Sequence, residues 1–219
     1  MQSLFIATGN AHKVEEIRSF LGSGFRVVSQ KEVDLRLDPE ETGSSFAENA
    51  AIKVITWARH LASGAQVQGV DWVLADDSGL EVDILGGAPG VHSARYAHLE
   101  TGQPGNAPDA LNNAHLLREL SRFAVDRWTA RFRCVLALSP VRTGIPGEVL
   151  ERETRWFEGV CEGRIQPQPA GVGGFGYDPL FIPEGETRSF AELGASVKNR
   201  ISHRARALES LSIGLNREG

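Results

Sequence analysis

Two adjacent carboxylates follow an apolar run in this sequence. Asp76 and Asp77 come directly after Val73–Ala75, and Ser78 and Gly79 follow them. Two ionised carboxylates are costly to hold side by side unless a cation shares their charge. Ligand sites in open α/β sheets favour the carboxyl ends of strands. The pattern therefore favours a metal site at a strand end, and an Asp-rich turn is the alternative because turns also favour Asp, Ser and Gly.

A segment near the N-terminus is typical of phosphate binding. It lies between a short apolar strand and a helical pattern, and it consists of Thr8, Gly9, Asn10, Ala11, His12 and Lys13. A helix start presents free backbone N–H groups and the positive end of the helix dipole, to which phosphate binds readily. Lys13 would add a point charge. The spacing of a P-loop is absent, so an ordinary strand–turn–helix connection is the alternative.

One lysine falls on the apolar face of a predicted helix. Lys53 lies in the stripe formed by Phe46, Ala50, Trp57 and Leu61. A lysine at such a position either extends to the surface or meets a buried anion, for which a phosphate is a candidate. Upstream, Glu41 follows Glu40 in a predicted loop, where a glutamate pair is usually solvated.

The last third of the chain offers aromatic and basic side chains. Phe175, Gly176, Tyr177 and Asp178 belong to a Gly-rich loop whose aromatic faces could stack on a purine. Further on, a single helix could place Arg204 on an apolar stripe. Alternatively, Ser202 caps a new helix and leaves His203 and Arg204 in its first turn, facing a ligand. A basic surface helix is the competing interpretation.

The composition is that of an ordinary globular protein and limits the possible partners. The chain has 219 residues, a formal net charge of −5 and two cysteines. The acidic balance argues against a nucleic-acid-binding protein. Two cysteines without a metal-binding spacing argue against a disulfide framework and against a structural zinc site, and Cys134 is expected in the core. Neither a signal peptide nor a membrane span is evident, which predicts a cytoplasmic protein.

Short strands alternate with helices early in the chain, while its middle resembles a hairpin. We therefore expect an α/β fold with a mixed twisted sheet and flanking helices, as one domain over residues 1–219. The predicted strands are Leu4–Ala7, Phe25–Ser29, Val70–Ala75, Leu80–Leu85, Thr129–Ser139, Val149–Cys161 and Leu180–Ile182, with a turn at Gly144–Gly147. The predicted helices run from the Asn10 cap to Leu21, from a capping box at Ser45–Glu48 to about Leu61, from about Pro108 to Arg122, and to a last helix that ends near Leu211.

Taken in order, the motifs resemble the Ham1/RdgB type of inosine/xanthosine triphosphate pyrophosphatases. The matching segments are Ala7-Thr8-Gly9-Asn10 with Lys13, Glu41-Thr42-Gly43, Phe46 with Glu48-Asn49-Ala50 and Lys53, Ala75–Leu80, Gly86–Tyr96, Gly173–Pro179, and Lys198-Asn199 with Ile201–Arg204 and Ala207-Leu208. They run in family order across nearly the whole chain, so the set is far more specific than any one motif.

The resemblance implies an elongated, two-lobed, inosine triphosphatase-like fold with a central substrate cleft, usually as a homodimer. It implies hydrolysis of ITP, dITP and XTP to the monophosphate and pyrophosphate with Mg²⁺. By position, Glu41 and Asp77 would hold magnesium, and Asp77 would accept a proton with Asp76 beside it. The implied substrate contacts are Thr8 to Lys13, Lys53 and Ser78 for phosphate, and Phe175 to Asp178, Lys198, His203 and Arg204 for the base and sugar.

Two other functions compete with this interpretation. A Maf-type nucleotide pyrophosphatase has a related architecture, and a nucleotide-binding sensor would bind without turnover. The chain also departs from the family at two places: the loop His98–Asp109 is long and rich in Gly and Pro, and Val197 stands where an acidic residue is common. Neither departure touches the expected metal or phosphate positions.

Overall fold

A computed structural model describes residues 2–35, 37–64, 69–144 and 147–216. Along these ranges the chain forms β1 (Gln2–Ile6), α1 (Ala11–Leu21), β2 (Phe25–Ser29), α2 (Phe46–Ala62), β3 (Trp72–Val82), α3 (His98–Thr101), α4 (Asp109–Leu120), β4 (Thr129–Pro140), α5 (Gly147–Glu153), β5 (Arg155–Ile165), β6 (Phe181–Pro183), α6 (Phe190–Leu193), α7 (Ala195–Ile201) and α8 (His203–Asn216). Short 3₁₀ helices occupy Gly22–Gly24, Gln30–Val33, Asp83–Leu85, Gly90–Arg95 and Val125–Arg127. Within the described residues, no helix has both the length and the apolar composition needed to cross a membrane.

The strands form one mixed sheet in the order β2-β1-β3-β4-β5-β6. Strand β1 pairs in parallel with β2 and with β3, whereas β5 and β6 pair antiparallel. The parallel pairing of β1 and β3 sets Ile6 opposite Leu74. The expected α/β fold with a mixed sheet and flanking helices is therefore confirmed.

The chain divides into two compact units, and strands β3, β4 and β5 contribute residues to both. Unit 1 comprises residues 1–77, 134–158 and 207–219. In its core, α1 and α8 pack on β1, β3 and β4 through side chains such as Ile17, Leu208 and Leu74. Phe5 contacts Trp57 of α2, with ring centroids 4.7 Å apart. Because Phe5 alternates along β1 with Leu4 and Ile6 of the α1/α8 core, helices cover both faces of this part of the sheet.

Unit 2 comprises residues 78–133 and 159–206 and has a hydrophobic core of its own. Leu116 and Leu120 of α4 pack there with Trp128 and with Phe181 of β6. Phe132 lies edge-on to Phe181, with ring centroids 4.7 Å apart. This core supports α4 and the Gly-rich loop, which carry several of the candidate site residues of the unit.

Strand β3 differs from the prediction. It does not end before Asp76 but continues through Asp76, Asp77, Ser78 and Gly79 to Val82. Local turn propensity favoured a break here, yet the two carboxylates are buried and bonded by lysines from other elements. Tertiary pairing therefore overrides the turn preference, and the acids lie within the strand instead of at its end.

The second strand of the predicted hairpin also begins later than expected. Residues 149–153, expected at its start, belong to helix α5, and β5 begins at Arg155. Glu, Leu and Arg in this segment are good helix formers, and Leu150 supplies a buried contact. Strands β4 and β5 are neighbours in the sheet as predicted. The predicted turn at Gly144–Gly147 falls partly outside the described residues.

The helix starts were largely predictable. Asn10 caps α1, and Ser45 caps α2 by accepting from the Glu48 N–H at 3.2 Å. The Glu48 carboxylate, however, accepts from the N–H and hydroxyl of Ser44, so the return bond of the predicted capping box goes to Ser44. Near the C-terminus the helical conformation is interrupted at Ser202, whose hydroxyl accepts from the Ala205 N–H at 3.2 Å. The alternative in which Ser202 caps a new helix is confirmed.

Candidate functional site

In unit 1, each of the adjacent carboxylates is bonded to a lysine. Lys13 of α1 donates to Asp76 Oδ1 at 2.5 Å. Lys53 of α2 donates to Asp77 Oδ1 at 2.8 Å and to the Asp76 carbonyl at 2.8 Å. Successive side chains of a strand point to opposite faces, so the two acids need partners from different directions. The helices α1 and α2 supply these partners.

Lys53 also connects Asp77 to the predicted loop glutamate. Its ammonium donates to Glu41 Oε1 at 3.2 Å, so two carboxylates share one positive charge. Asn49, one turn earlier on α2, donates to Asp77 Oδ2 at 3.3 Å and accepts from the Gly43 N–H at 2.8 Å. The structure thus brings together Glu41, Lys53, Asp76 and Asp77 as expected, and adds Asn49.

Burial perturbs the ionisation of this cluster. It raises the pKa of Asp77 above its ordinary value, although the charges of Lys53 and Lys13 act in the opposite direction. For Lys53, burial acts to lower the pKa, but the carboxylates of Asp77, Glu41 and Asp76 outweigh it and raise the pKa. Lys53 is therefore an ammonium at neutral pH, and Asp77 is a stronger base than an exposed aspartate.

A buried thiol also donates a hydrogen bond to Asp76. Cys134 of β4 donates to Asp76 Oδ2 at 3.3 Å. The sequence placed Cys134 in the core, and it is buried, but its hydrogen bond to a candidate catalytic carboxylate was not foreseen. The pairing of β3 with β4 creates this contact, and sequence spacing carries no signal for it.

The N-terminal segment is partly occupied by its own cap. Asn10 Oδ1 accepts from the N–H groups of His12 and Lys13, at 2.9 Å and 3.2 Å, and the Asn10 N–H donates to Thr8 Oγ1 at 3.2 Å. Two of the N–H groups expected to be free for phosphate are therefore already hydrogen-bonded. Gly9 and Ala11, together with the His12 side chain, are exposed. Any phosphate contact of the segment then depends more on its side chains and on the helix dipole than the sequence suggested.

In unit 2, the Gly-rich loop is organised around a buried ion pair. Lys198 donates to Asp178 Oδ2 at 2.6 Å, and the same oxygen accepts from the Phe175 N–H at 2.9 Å. The Lys198 ammonium also lies 4.1 Å from the centroid of the Phe175 ring, a cation–π contact. Phe175, Asp178 and Lys198 are thus neighbours, as the resemblance implied.

The start of α8 supplies two further predicted residues. Arg204, which is almost fully buried, donates to Ser78 Oγ at 2.8 Å, and its guanidinium lies 5.9 Å from the Phe175 ring centroid. The His203 ring stacks on Phe132, with centroids 4.8 Å apart and planes 13° from parallel. Arg204 therefore connects Ser78 with the aromatic loop.

Tyr177, predicted to offer a stacking face, lies in a buried position. It belongs to the hydrophobic core of unit 2, and its hydroxyl donates to the Ser93 carbonyl at 2.9 Å. Burial raises the pKa of Tyr177 far above the ordinary value for tyrosine. Phe175 is half-buried and keeps an accessible part, so it is the better candidate for stacking on a base.

Two residues of α4 that the sequence analysis did not single out contact the same loop. Asp109 Oδ2 accepts from the Gly176 N–H at 2.6 Å, and Asn113 Nδ2 donates to the Gly176 carbonyl at 3.1 Å. A helix face with Asp and Asn four residues apart was the available signal. It was missed because nothing local indicates which loop such a face meets.

The expected metal ligands fit a hard cation. In the described ranges, no group of three or more His, Cys, Asp or Glu side chains is arranged to hold a metal ion. Glu41 and Asp77 nevertheless converge on one ammonium, that of Lys53, so the pair already shares a positive charge. Carboxylate oxygens are the ligands that Mg²⁺ takes, and it completes its shell with water and substrate phosphates. Their chemistry therefore suits magnesium.

Known proteins resemble the chain over nearly its full length. The model of the Ham1 family matches residues 4–213. The dITP/XTP pyrophosphatase of Geobacillus kaustophilus is 46% identical over 212 residues, which cover 96% of this chain and 93% of that protein. The dITP/XTP pyrophosphatase of Bacillus subtilis is 43% identical over 213 residues, which cover 97% and 96%.

Solved structures agree with the sequence comparison. The Ham1 protein of Staphylococcus aureus has a TM-score of 0.78 and 32% identity, with 100% of both chains covered. A nucleoside-triphosphatase, or dITP/XTP pyrophosphatase, of Mycobacterium abscessus has a TM-score of 0.69 and 37% identity, covering 96% of this chain and 98% of that one. The family model, the identities and the shared fold all agree, and the chain belongs to the Ham1 family.

Proposed function

We propose that the protein hydrolyses non-standard purine nucleoside triphosphates (ITP, dITP and XTP) to the monophosphate and pyrophosphate. The proposal extends to this chain the activity in the names of its relatives. One observation of the site carries it: adjacent buried aspartates on β3, each bonded to a lysine from a different helix. Such an arrangement combines a base with cations that neutralise phosphate charge.

Asp77 is the residue that we assign as proton acceptor. Water attacks the α-phosphorus, the bond from that phosphorus to the bridging oxygen breaks, pyrophosphate leaves, and the water proton passes to Asp77. The Asp76 side chain is inaccessible, and its two oxygens are bonded to Lys13 and Cys134. The Asp77 side chain is 9% exposed and has the raised pKa of a better base. Asp76 then serves as a fixed helper beside it.

The proposal includes Mg²⁺ held by Glu41 and Asp77, which would neutralise the triphosphate and activate the attacking water. Lys13 and Lys53, with the segment Thr8 to His12 and Ser78, would contact the phosphates and stabilise the charge on leaving pyrophosphate. Each of the two lysines forms an ion pair with one of the adjacent aspartates. A bound triphosphate would offer them a competing anion.

The residues of unit 2 would read the base. Phe175 offers a stacking face, and Lys198, His203 and Arg204 offer hydrogen-bond donors for a 6-oxo purine. Gly176, Tyr177 and Asp178 shape the loop that carries Phe175. A 6-amino purine would present a donor instead of an acceptor to these side chains, and sites built on hydrogen bonds reject such analogues by about 10⁴-fold or more.

Pyrophosphate release from ITP, XTP, dUTP, ATP and GTP with Mg²⁺ tests the function. We expect turnover of ITP and XTP at a kcat/KM at least about 100-fold above that for ATP. Equal turnover of ATP and ITP would contradict the base specificity. A preference for dUTP would indicate the Maf-type activity, and binding without turnover would indicate a sensor.

The organisation of the protein is also part of the proposal. We propose that residues 1–219 act as one catalytic domain, that the protein is cytoplasmic, and that it forms the homodimer which the family resemblance implies. Light scattering during gel filtration measures the mass in solution. A monomeric mass at micromolar concentration would contradict the dimer without affecting the proposed chemistry.

A further inference from the structure

One helix holds both peptide groups of Gly176. Asp109 and Asn113 are the first and fifth residues of α4, so they lie one turn apart on the same helix face. Asp109 accepts from the Gly176 N–H at 2.6 Å, and Asn113 donates to the Gly176 carbonyl at 3.1 Å. We call this pair the α4 clamp. A carboxylate acceptor makes the first bond the stronger of the two.

The neighbouring peptide is fixed from a second direction. The Phe175 N–H donates to Asp178 Oδ2 at 2.9 Å, and Lys198 is bonded to the same oxygen. At Gly174, where φ is +75°, a Cβ would lie 2.1 Å from Asp178 Oδ2, so the loop backbone already approaches this carboxylate closely. Two successive N–H groups therefore donate to carboxylates from different elements. The N–H group of Phe175 and that of the following residue, Gly176, are therefore both held by hydrogen bonds.

Asn113 is a buried polar residue of the α4 clamp. It is 8% exposed, and among the described residues its Oδ1 has no hydrogen-bond partner. The adjacent Asn112 provides a contrast, because its amide bonds the Ala97 N–H and the carbonyls of Ala94 and Ala107. Burying an amide costs free energy unless it is hydrogen-bonded, so the bond from Asn113 Nδ2 to the Gly176 carbonyl compensates part of the cost of burying this side chain.

We infer that Asp109 and Asn113 are positioning residues for base recognition, acting through Gly176 on Phe175. The inference rests on the proposed function, because it assigns Phe175 as the stacking face for a 6-oxo purine. The clamp fixes the peptide that follows Phe175, and Lys198 lies against one face of the ring at 4.1 Å. Releasing Gly176 would let the ring turn away from the bound base while leaving the acid pair of unit 1 unchanged.

Hydrogen exchange in the free protein tests the clamp without any substrate. We expect the backbone amides of residues 171–180 to exchange about tenfold faster in Asp109→Ala and Asn113→Leu, because each variant removes one hydrogen bond. Asp109→Asn keeps an acceptor oxygen but loses the charge, so its exchange should be faster than in the wild type and clearly slower than in Asp109→Ala. Leu111→Ala, at a position of α4 that is 52% exposed, is the matched control. Unchanged exchange in both disruptive variants would overturn the clamp.

Steady-state kinetics with ITP and ATP tests the specificity. For Asp109→Ala and Asn113→Leu we expect the KM for ITP to rise about tenfold with kcat within about twofold of wild type. The ratio of kcat/KM for ITP over ATP should fall accordingly, and in Asp109→Asn it should lie between the ratios of Asp109→Ala and the wild type. A lower kcat at unchanged KM, or an unchanged ratio, would overturn the positioning role. Absence of ITP preference in the wild type would instead overturn the proposed function, which the exchange experiment does not depend on.

Discussion

The Lys53 ammonium donates to two carboxylates and to one backbone carbonyl. A lysine on an apolar helix face is expensive to bury unless it meets anions, and here it meets Asp77 and Glu41. Of the two alternatives that the sequence left open for Lys53, the structure shows contact with buried anions. These anions are the two carboxylates, and in our proposal a substrate phosphate is a further partner of Lys53.

Asp77→Asn separates chemistry from folding at this site. The amide keeps the shape and one oxygen for Lys53 but is a very weak base, so kcat should fall by roughly 100-fold or more. The far-UV spectrum should stay that of the folded protein, while the urea unfolding midpoint should fall, because the buried Lys53 ammonium loses the charge of one of its two carboxylate partners. Asp126→Asn, at an exposed position, is the matched control and should keep full activity. Wild-type-like turnover of Asp77→Asn would refute its role as proton acceptor.

Residue types and spacing identified the carboxylates and lysines, but not all of their partners. Cys134 and Asn49 both contact the acid pair, yet their positions in the sequence carry no chemical pattern. An apolar cysteine in a strand is normally a small core side chain. Its contact with Asp76 depends on which strand lies beside β3, and that pairing joins residues far apart in the chain.

Strand β3 shows that local residue preferences do not decide where a strand ends. Asp, Ser and Gly together favour a turn, but the strand continues for five residues beyond Asp77 because the carboxylates are neutralised by α1 and α2. Near the C-terminus the sequence allowed either one continuous helix or a new helix capped by Ser202, and the structure has the second. A serine followed by polar residues is a cap signal, and Ser202 is indeed the cap of α8.

The cap at Ser202 makes a prediction for this helix. Ser202→Ala should lower the free energy of unfolding by about 1 kcal/mol, whereas Ser202→Gly should lower it by only a few tenths. Since His203 and Arg204 form the first turn of α8, Ser202→Ala should also raise the KM for ITP. Urea unfolding monitored by circular dichroism measures the stability. No loss in the alanine variant would show that the hydroxyl does not act as a cap.

For the molecule as a whole, the alternation of strands and helices was enough to predict a mixed α/β sheet. The strand order β2-β1-β3-β4-β5-β6 was not predictable, because neighbouring strands such as β1 and β3 are separated by two helices and another strand. The α4 clamp has the same cause. Asp109 and Gly176 are 67 positions apart, and only the folded core of unit 2 brings them together.

Removal of metal ions tests whether activity, thermal stability or both depend on Mg²⁺. Treatment with EDTA should abolish pyrophosphate release from ITP, and added Mg²⁺ should restore it, because the triphosphate charge is then neutralised again. The thermal unfolding midpoint without substrate should change by less than about 2 °C, since Lys53 and Lys13 already compensate the carboxylates. Calorimetry and the activity assay measure the two effects. Cooperative unfolding on adding EDTA would contradict this arrangement.

The lysine contacts of Asp76 and Asp77 bear on whether folding of the protein requires a metal ion. Small zinc domains are unfolded until their ion arrives, because without it their ligands have no stabilising partner. Here Lys13 and Lys53 are counter-ions for Asp76 and Asp77 that belong to the chain itself, so these two buried carboxylates do not need a metal ion to offset their charge when the protein folds. We therefore expect the protein to fold in a magnesium-poor medium and to gain activity on addition of Mg²⁺ without a refolding step.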